Sequence, residues 1–156
     1  MNPRRTLVLA MLVTGLAALP SIQAQEKKLK RAELPPAVEK TVVEQSKGAT
    51  IRGFSTEMEG GKKLYEAELV VSGHGKDISM DEQGNIVEVE EEVSMESLPG
   101  NVRDGLTKSA GSGMVGKVES LTKKGKLVAY EAVVKTGTKR SEIQVGPDGK
   151  KLAHPE

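Results

Sequence analysis

Lys63-Leu64-Tyr65-Glu66-Ala67-Glu68-Leu69-Val70-Val71 returns later in the chain as Leu127-Val128-Ala129-Tyr130-Glu131-Ala132-Val133-Val134. Setting Tyr65 on Tyr130 gives an offset of 65 residues, which also carries Ile78 onto Ile143, Met80 onto Val145 and Gly84 onto Gly149. Upstream, an offset of 64 sets Leu34-Pro35 on Leu98-Pro99, Val38 on Val102 and Val42 on Leu106, so one residue is inserted between the two anchors. A fixed period with one order of elements is the mark of a duplicated supersecondary unit. The expectation is an α+β fold of two tandem repeats, residues 34–97 and 98–156. Each is expected to be a helix packed on one face of an antiparallel sheet of three or four strands.

Within each unit the pattern predicts a helix first. Leu34, Val38 and Val42 recur every fourth residue behind Pro35-Pro36, which suit a first turn, and Gly48 stops the run. The second unit places Val102, Leu106 and Ala110 at the same spacing before Gly111. Gly100 and Gly105 weaken that helix by about 1 kcal/mol each against Ala. Extended runs follow, over 50–58, 64–72, 76–80 and 86–92, then 115–122, 127–136 and 138–145, with a short tail at Leu152. Gly-rich turns separate them, among them Gly73-His74-Gly75, and turns this short join antiparallel strands.

Alternation assigns the faces. Tyr65, Ala67, Leu69 and Val71 share one side of their strand, with Glu66 and Glu68 on the other, since successive side chains point oppositely. Val128, Tyr130, Ala132 and Val134 repeat the apolar side, which is expected to hold the helix. The outward side then presents Glu66, Glu68, Asp77, Glu131 and Glu142, with Lys135 the one basic residue of the set.

The chain opens with Arg4-Arg5, an apolar run over 7–19, Pro20 and small residues ending at Ala24. That is the pattern of a secretory signal peptide over 1–24, and a run of 13 residues is too short for a membrane span of about 20. The expected location is periplasmic or secreted, with no membrane association after cleavage. Removing 24 residues of 156, two of them basic, leaves 132 with 21 basic and 22 acidic side chains, a net charge of −1. This balance offers no electrostatic footprint for nucleic acid. The chain has no cysteine, so no disulfide supports it. Residues 25–33 carry Lys27, Lys28, Lys30 and Arg31 without apolar period and read as a charged, solvated linker.

Several matches to chemical motifs fail on context. Gly111-Ser112-Gly113-Met114-Val115-Gly116 has the spacing of a dinucleotide loop, but a helix precedes it and a strand follows, the reverse of what sets amides against a phosphate. Ser120-Leu121-Thr122-Lys123 and Lys135-Thr136-Gly137 echo serine beta-lactamase motifs, yet Ser120 lies late in a strand and no Ser-Asp-Asn intervenes. His74 and His154, the two histidines, lack companions at metal-ligand spacing. Glu88, Glu90, Glu91 and Glu92 lack the spaced ligands of a calcium loop and read as the wet side of an edge strand. No catalytic residue, metal or cofactor is expected.

The unit made of the apolar helix, Leu64-Tyr65-Glu66-Ala67-Glu68-Leu69, Lys76-Asp77-Ile78-Ser79-Met80-Asp81 and Gly84-Asn85-Ile86-Val87 resembles the PepSY domain and the PepSY-like proteins grouped with the beta-lactamase inhibitor fold. The second unit departs in having Gly146 where the first has Asp81. The resemblance implies an exported, non-catalytic module that binds or inhibits a protein, a peptidase or another protein with a basic surface. The competing expectation is a periplasmic carrier that holds a small ligand or cation between the two units.

Overall fold

A computed structural model describes residues 26–156; the expected signal peptide lies outside them. Eight strands form one antiparallel sheet in the order of the chain. Strand β1 is Lys27–Leu29, followed by helix α1, Pro36–Gln45. Strands β2 (Ala49–Glu59), β3 (Lys62–Val71), β4 (His74–Met80) and β5 (Ile86–Val93) come next, then helix α2 (Gly100–Ala110). Strands β6 (Met114–Lys123), β7 (Lys126–Thr136) and β8 (Lys139–Val145) complete the sheet. Among the described residues no helix is long and apolar enough to cross a membrane.

This overturns the expected fold class. Two helix-bearing sheets of three or four strands do not exist as separate layers, because β5 pairs with β6 from Glu88↔Lys123 to Val93↔Val118. The sequence bounds the two repeats at residue 97 and leaves open whether their sheets join; the pairing of β5 with β6 joins them. Closing the two edges on each other pairs backbone groups that would otherwise demand water or another chain. Within the stretch expected to be a linker, Lys27–Leu29 pairs with β2 and Arg31–Glu33 forms a 3-10 turn. His74, expected in a turn, is the first residue of β4; the turn itself is Ser72-Gly73, both at positive φ (50° and 95°), as a tight two-residue hairpin requires.

Both helices cover the same side of the sheet through the side chains that alternation assigned. Val38 and Val42 of α1 pack with Leu34, Phe54, Tyr65, Ala67, Leu69, Ile78 and Met80. Val102 and Leu106 of α2 pack with Leu98, Val118, Ala132 and Val145, with Tyr130 and Ile143 half-buried against them. Pro35 and Pro99 precede the first turns of α1 and α2, where missing amide hydrogens cost nothing. Each helix rests on the turn that follows the third long strand of its half. Thr41 donates its hydroxyl to the Gly84 carbonyl at 2.7 Å, and Asn101 Nδ2 donates to the Pro147 carbonyl at 3.2 Å.

Candidate functional site

Among the described residues no helix covers the other side of the sheet, which only the C-terminal tail reaches, where Glu156 N donates to Gln144 Oε1 at 2.8 Å, and that side is not flat. Ser55, Leu64, Leu121 and Ala129 point to it and are buried, as is Glu119, at 7 % exposure. Register shifts in β2–β3, β4–β5 and β6–β7 accompany this recess. Such bulges sharpen the local twist of a sheet and re-aim side chains.

The register lays its charges in rows across the strands. One row runs Lys28, Ser55, Glu66, Ser79, Glu88, Lys123. The next runs Gly53, Glu68, Asp77, Glu90, Leu121, Ala129. A third runs Glu92, Glu119, Glu131, Gln144. All five carboxylates expected to face outward do so. Glu66 and Asp77 line a recess of about 160 Å³ together with Glu57, Ser79, Glu88 and Glu90. Glu68 lies over Gly53, Glu131 accepts a 2.8 Å hydrogen bond from Gln144 Nε2, and Glu142 is exposed on β8, apart from the others.

Glu57, Glu88, Glu90 and Glu119 join this group although sequence reading did not single them out as binding residues. The expected place of the acidic run of β5 is the wet side of an edge strand. The strand is instead an interior one whose alternate residues divide: Glu91 turns to the helix side and pairs with Lys76 at 3.3 Å, while Glu88 and Glu90 enter the acidic rows. Lys123 stands opposite Glu88 and pairs with it at 3.2 Å. That complementarity of charge was a signal of the β5–β6 pairing available in the sequence.

Packing so many carboxylates in a recess raises their proton affinity, because burial and like charge both oppose ionisation. Burial, then the charges of Asp77 and of neighbouring glutamates, pushes Glu66 up to about 7. Burial, then Glu119, Glu88, Glu131 and Asp77, pushes Glu90 up to about 8. Asp77, Glu88, Glu131 and Glu57 are raised too, each mainly by burial, with Lys123 opposing the shift at Glu88. Lys117 is held by Glu119 at 2.7 Å, so it neutralises one member of the group and leaves Glu66, Asp77 and Glu90 without a cation in contact among the described residues. Asp77, Glu90 and Glu119 come from β4, β5 and β6, across the junction of the two halves, and each places an oxygen within 4.8 Å of the others'. His74 and His154 do not join any such group among the described residues.

No family model matches the chain, and no curated protein matches it. Solved structures do. A BLIP-like protein from Bacteroides fragilis is 22% identical, with a TM-score of 0.57 over 76% of this chain and 83% of that one. A candidate periplasmic protein from Bacteroides eggerthii is 15% identical, with a TM-score of 0.64 over 76% and 86%. A DUF2874 family protein from Bacteroides ovatus is 17% identical, with a TM-score of 0.61 over 76% and 84%. At these identities the likeness is one of fold, and the fold is BLIP-like.

Proposed function

We propose that this chain is an exported, non-catalytic binding module of the PepSY-like class whose helix-free sheet face receives a basic patch on a protein partner. The observation that carries this reading is the recess lined by Glu57, Glu66, Asp77, Glu88 and Glu90, of which only Glu88 has a cation in contact, Lys123, among the described residues. A fold has no use for that arrangement. Crowded carboxylates oppose one another and cost stability, and a partner's lysines or arginines relieve the cost on docking. The periplasmic or secreted location rests on the leader over 1–24 and on the candidate periplasmic assignment of a protein of the same fold. An inhibitory role, with a peptidase as the partner, comes from the PepSY-like resemblance and is supported by the BLIP-like name of a fold neighbour.

The test replaces Glu66, Glu88 and Glu90 by Gln together and measures association with an oligolysine peptide and with any co-purified protein over a salt series. The parent protein is expected to bind with a steep loss as salt rises, and the triple variant weakly with a shallow one. Equal rates and equal salt slopes in the two proteins would remove the acidic face from consideration.

A second reading has its own observation. Asp77, Glu90 and Glu119 present hard oxygen donors to one point at the junction of the halves, which suits a calcium-sized or magnesium-sized cation. Calcium chloride should then raise the melting midpoint of the parent and leave that of Asp77→Asn/Glu119→Gln unmoved.

A further inference from the structure

The far end of the sheet has the opposite character. Between β6 and the β7–β8 hairpin lies a groove of about 510 Å³ whose walls are mainly apolar, with the side chains of Met114 and Val133 turned to it while that of Val115 packs under α2, and whose rim carries Lys135, Lys139 and Arg140. The groove has a local cause. The register shift between Val115 and Val118 sets Gly116 and Lys117 of β6 against the single residue Val133 of β7. Gly116 has no side chain, so nothing from β6 covers Val133 there. Met114 is 68% exposed, the most open of the large apolar side chains described, and a thioether chain adapts readily to a guest.

The three rim cations differ from the paired lysines of the sheet and resemble Lys28, Arg52 and Lys63, which also close no ion pair among the described residues. Lys76, Lys117 and Lys123 each hold a carboxylate within 4 Å, whereas none of Lys135, Lys139 and Arg140 does so among the described residues. Glu142 stands opposite Val133 on the same side but closes no ion pair with them. An apolar cleft of a few hundred cubic ångströms with a small number of convergent charges has the size and make-up of a small-ligand site, about 300–1,000 Å³ in other proteins.

We propose that this groove binds a single-chain amphipathic anion, an alkyl chain with a carboxylate, sulfate or phosphate head. The tail lies on Met114 and Val133, out of water, and the head accepts charge-assisted hydrogen bonds from Lys135 and Arg140, which are paired across β7 and β8. The site lies on the same side of the sheet as the acidic recess but shares none of its lining residues.

The experiment follows backbone amide signals of the mature chain, from Gln25 onward, while octanoate is added below its micelle concentration. Acetate supplies the head without the tail, octyl glucoside the tail without the charge, and phosphatidylglycerol vesicles a bilayer source of anionic heads. Saturable shifts with octanoate confined to residues 114–116 and 133–140 are expected, with acetate and octyl glucoside weaker by about tenfold or more. Lys135→Gln/Arg140→Gln should weaken octanoate by about tenfold or more through the head. Gly116→Val should block it through the tail, since a Cβ there meets only the Val133 carbonyl oxygen at 3.5 Å and the strand tolerates it. The proposal is overturned by absence of saturable shifts, by shifts scattered over the sheet, by equal binding of octyl glucoside, or by binding that survives both variants. Binding to vesicles without binding to octanoate overturns it as well, and makes this end of the sheet a membrane-docking surface.

Discussion

Helix α1 and helix α2 come similarly close to the turns beneath them, where a Cβ on Gly84 or Gly149 would strike the Ala37 or Asn101 carbonyl, and they differ at one position. The turns share one backbone: Asp81 N donates to the Asn85 carbonyl at 3.0 Å and Gly84 N to the Asp81 carbonyl at 2.9 Å, while Gly146 N donates to Lys150 and Gly149 N to Gly146, both at 2.8 Å. On α1 the contact is a side-chain hydrogen bond, from Thr41 to the Gly84 carbonyl. The corresponding residue of α2, 64 positions on, is Gly105, where the Gly149 carbonyl comes so close that a Cβ would collide with it. The difference teaches how to weigh two substitutions that looked like losses. Gly105 weakens a helix by propensity, but here it is what lets the turn approach. Gly146 in place of Asp81 removes one carboxylate, and Asp148 supplies another, accepting from Lys150 N at 3.0 Å as Asp81 accepts from Gln83 N at 3.0 Å.

The largest expected effect tests whether the halves are thermodynamically separate. Leu69, 2% exposed, and Leu106, 0% exposed, sit in different clusters. Leu69→Ala and Leu106→Ala should each cost about 2–5 kcal/mol through lost burial and a residual cavity. Because one sheet joins the clusters, each variant should lower a single melting transition; a scan that splits in two would show that the clusters unfold apart. Next comes the close approach itself. Gly149 has φ of 77° and its Cβ would strike the Asn101 carbonyl, so Gly149→Ala should cost about 2–4 kcal/mol, combining a left-handed backbone penalty with a clash. Urea unfolding measures it.

The polar contact should be the more forgiving of the two. Thr41→Val keeps the shape and removes the bond to Gly84, at a cost of about 1 kcal/mol. A loss as large as that of Gly149→Ala would show that the hydrogen bond holds α1 as firmly as the close approach of helix and turn does. A further effect lies at the junction and depends on pH. The folded Glu90 carboxyl holds its proton up to about 8, against 4.5 for the ordinary side chain, so the folded state binds more protons than the unfolded chain over that range. The stability this contributes is fully present below about 4.5 and is lost as pH rises through about 8. Glu90→Gln should therefore raise the melting midpoint at pH 8.5 and leave it nearly unchanged at pH 5. A gain of equal size at both pH values would assign the effect to packing.

Alternation and turn chemistry placed the helices and strands within a few residues, since Tyr65-Glu66-Ala67-Glu68-Leu69 names its own inside and outside. They did not reveal what Ile86–Val93 pairs with. A strand reading Val-Glu-Val-Glu alternates in the same way at an edge and in an interior, and the sequence reading chose the edge. From that one choice followed the dismissal of Glu88 and Glu90, while the joining of the two sheets stayed open. The outward carboxylates Glu66, Glu68, Asp77, Glu131 and Glu142 were legible because facing requires only period two. Their crowding was not, because it depends on register between strands, which bulges at Arg52, Val87 and Gly116 reset.

The sequential order of the strands also bears on how the chain reaches this state. Each strand pairs only with its neighbours in sequence, so most contacts close short loops and assembly can proceed along the chain without threading. Among the pairings of β2 to β8, β5 with β6 is the one whose connection carries a helix: Val93 and Val118 lie 25 residues apart at their nearest paired point, with α2 between. Closing that loop costs more entropy than any hairpin, so a barrier located there would make folding speed sensitive to the length of the α2 connection. Lengthening the connection at Gly111-Ser112 should then slow refolding while leaving the unfolding rate almost unchanged, which places the junction of the halves in the kinetics of the molecule as well as in its electrostatics.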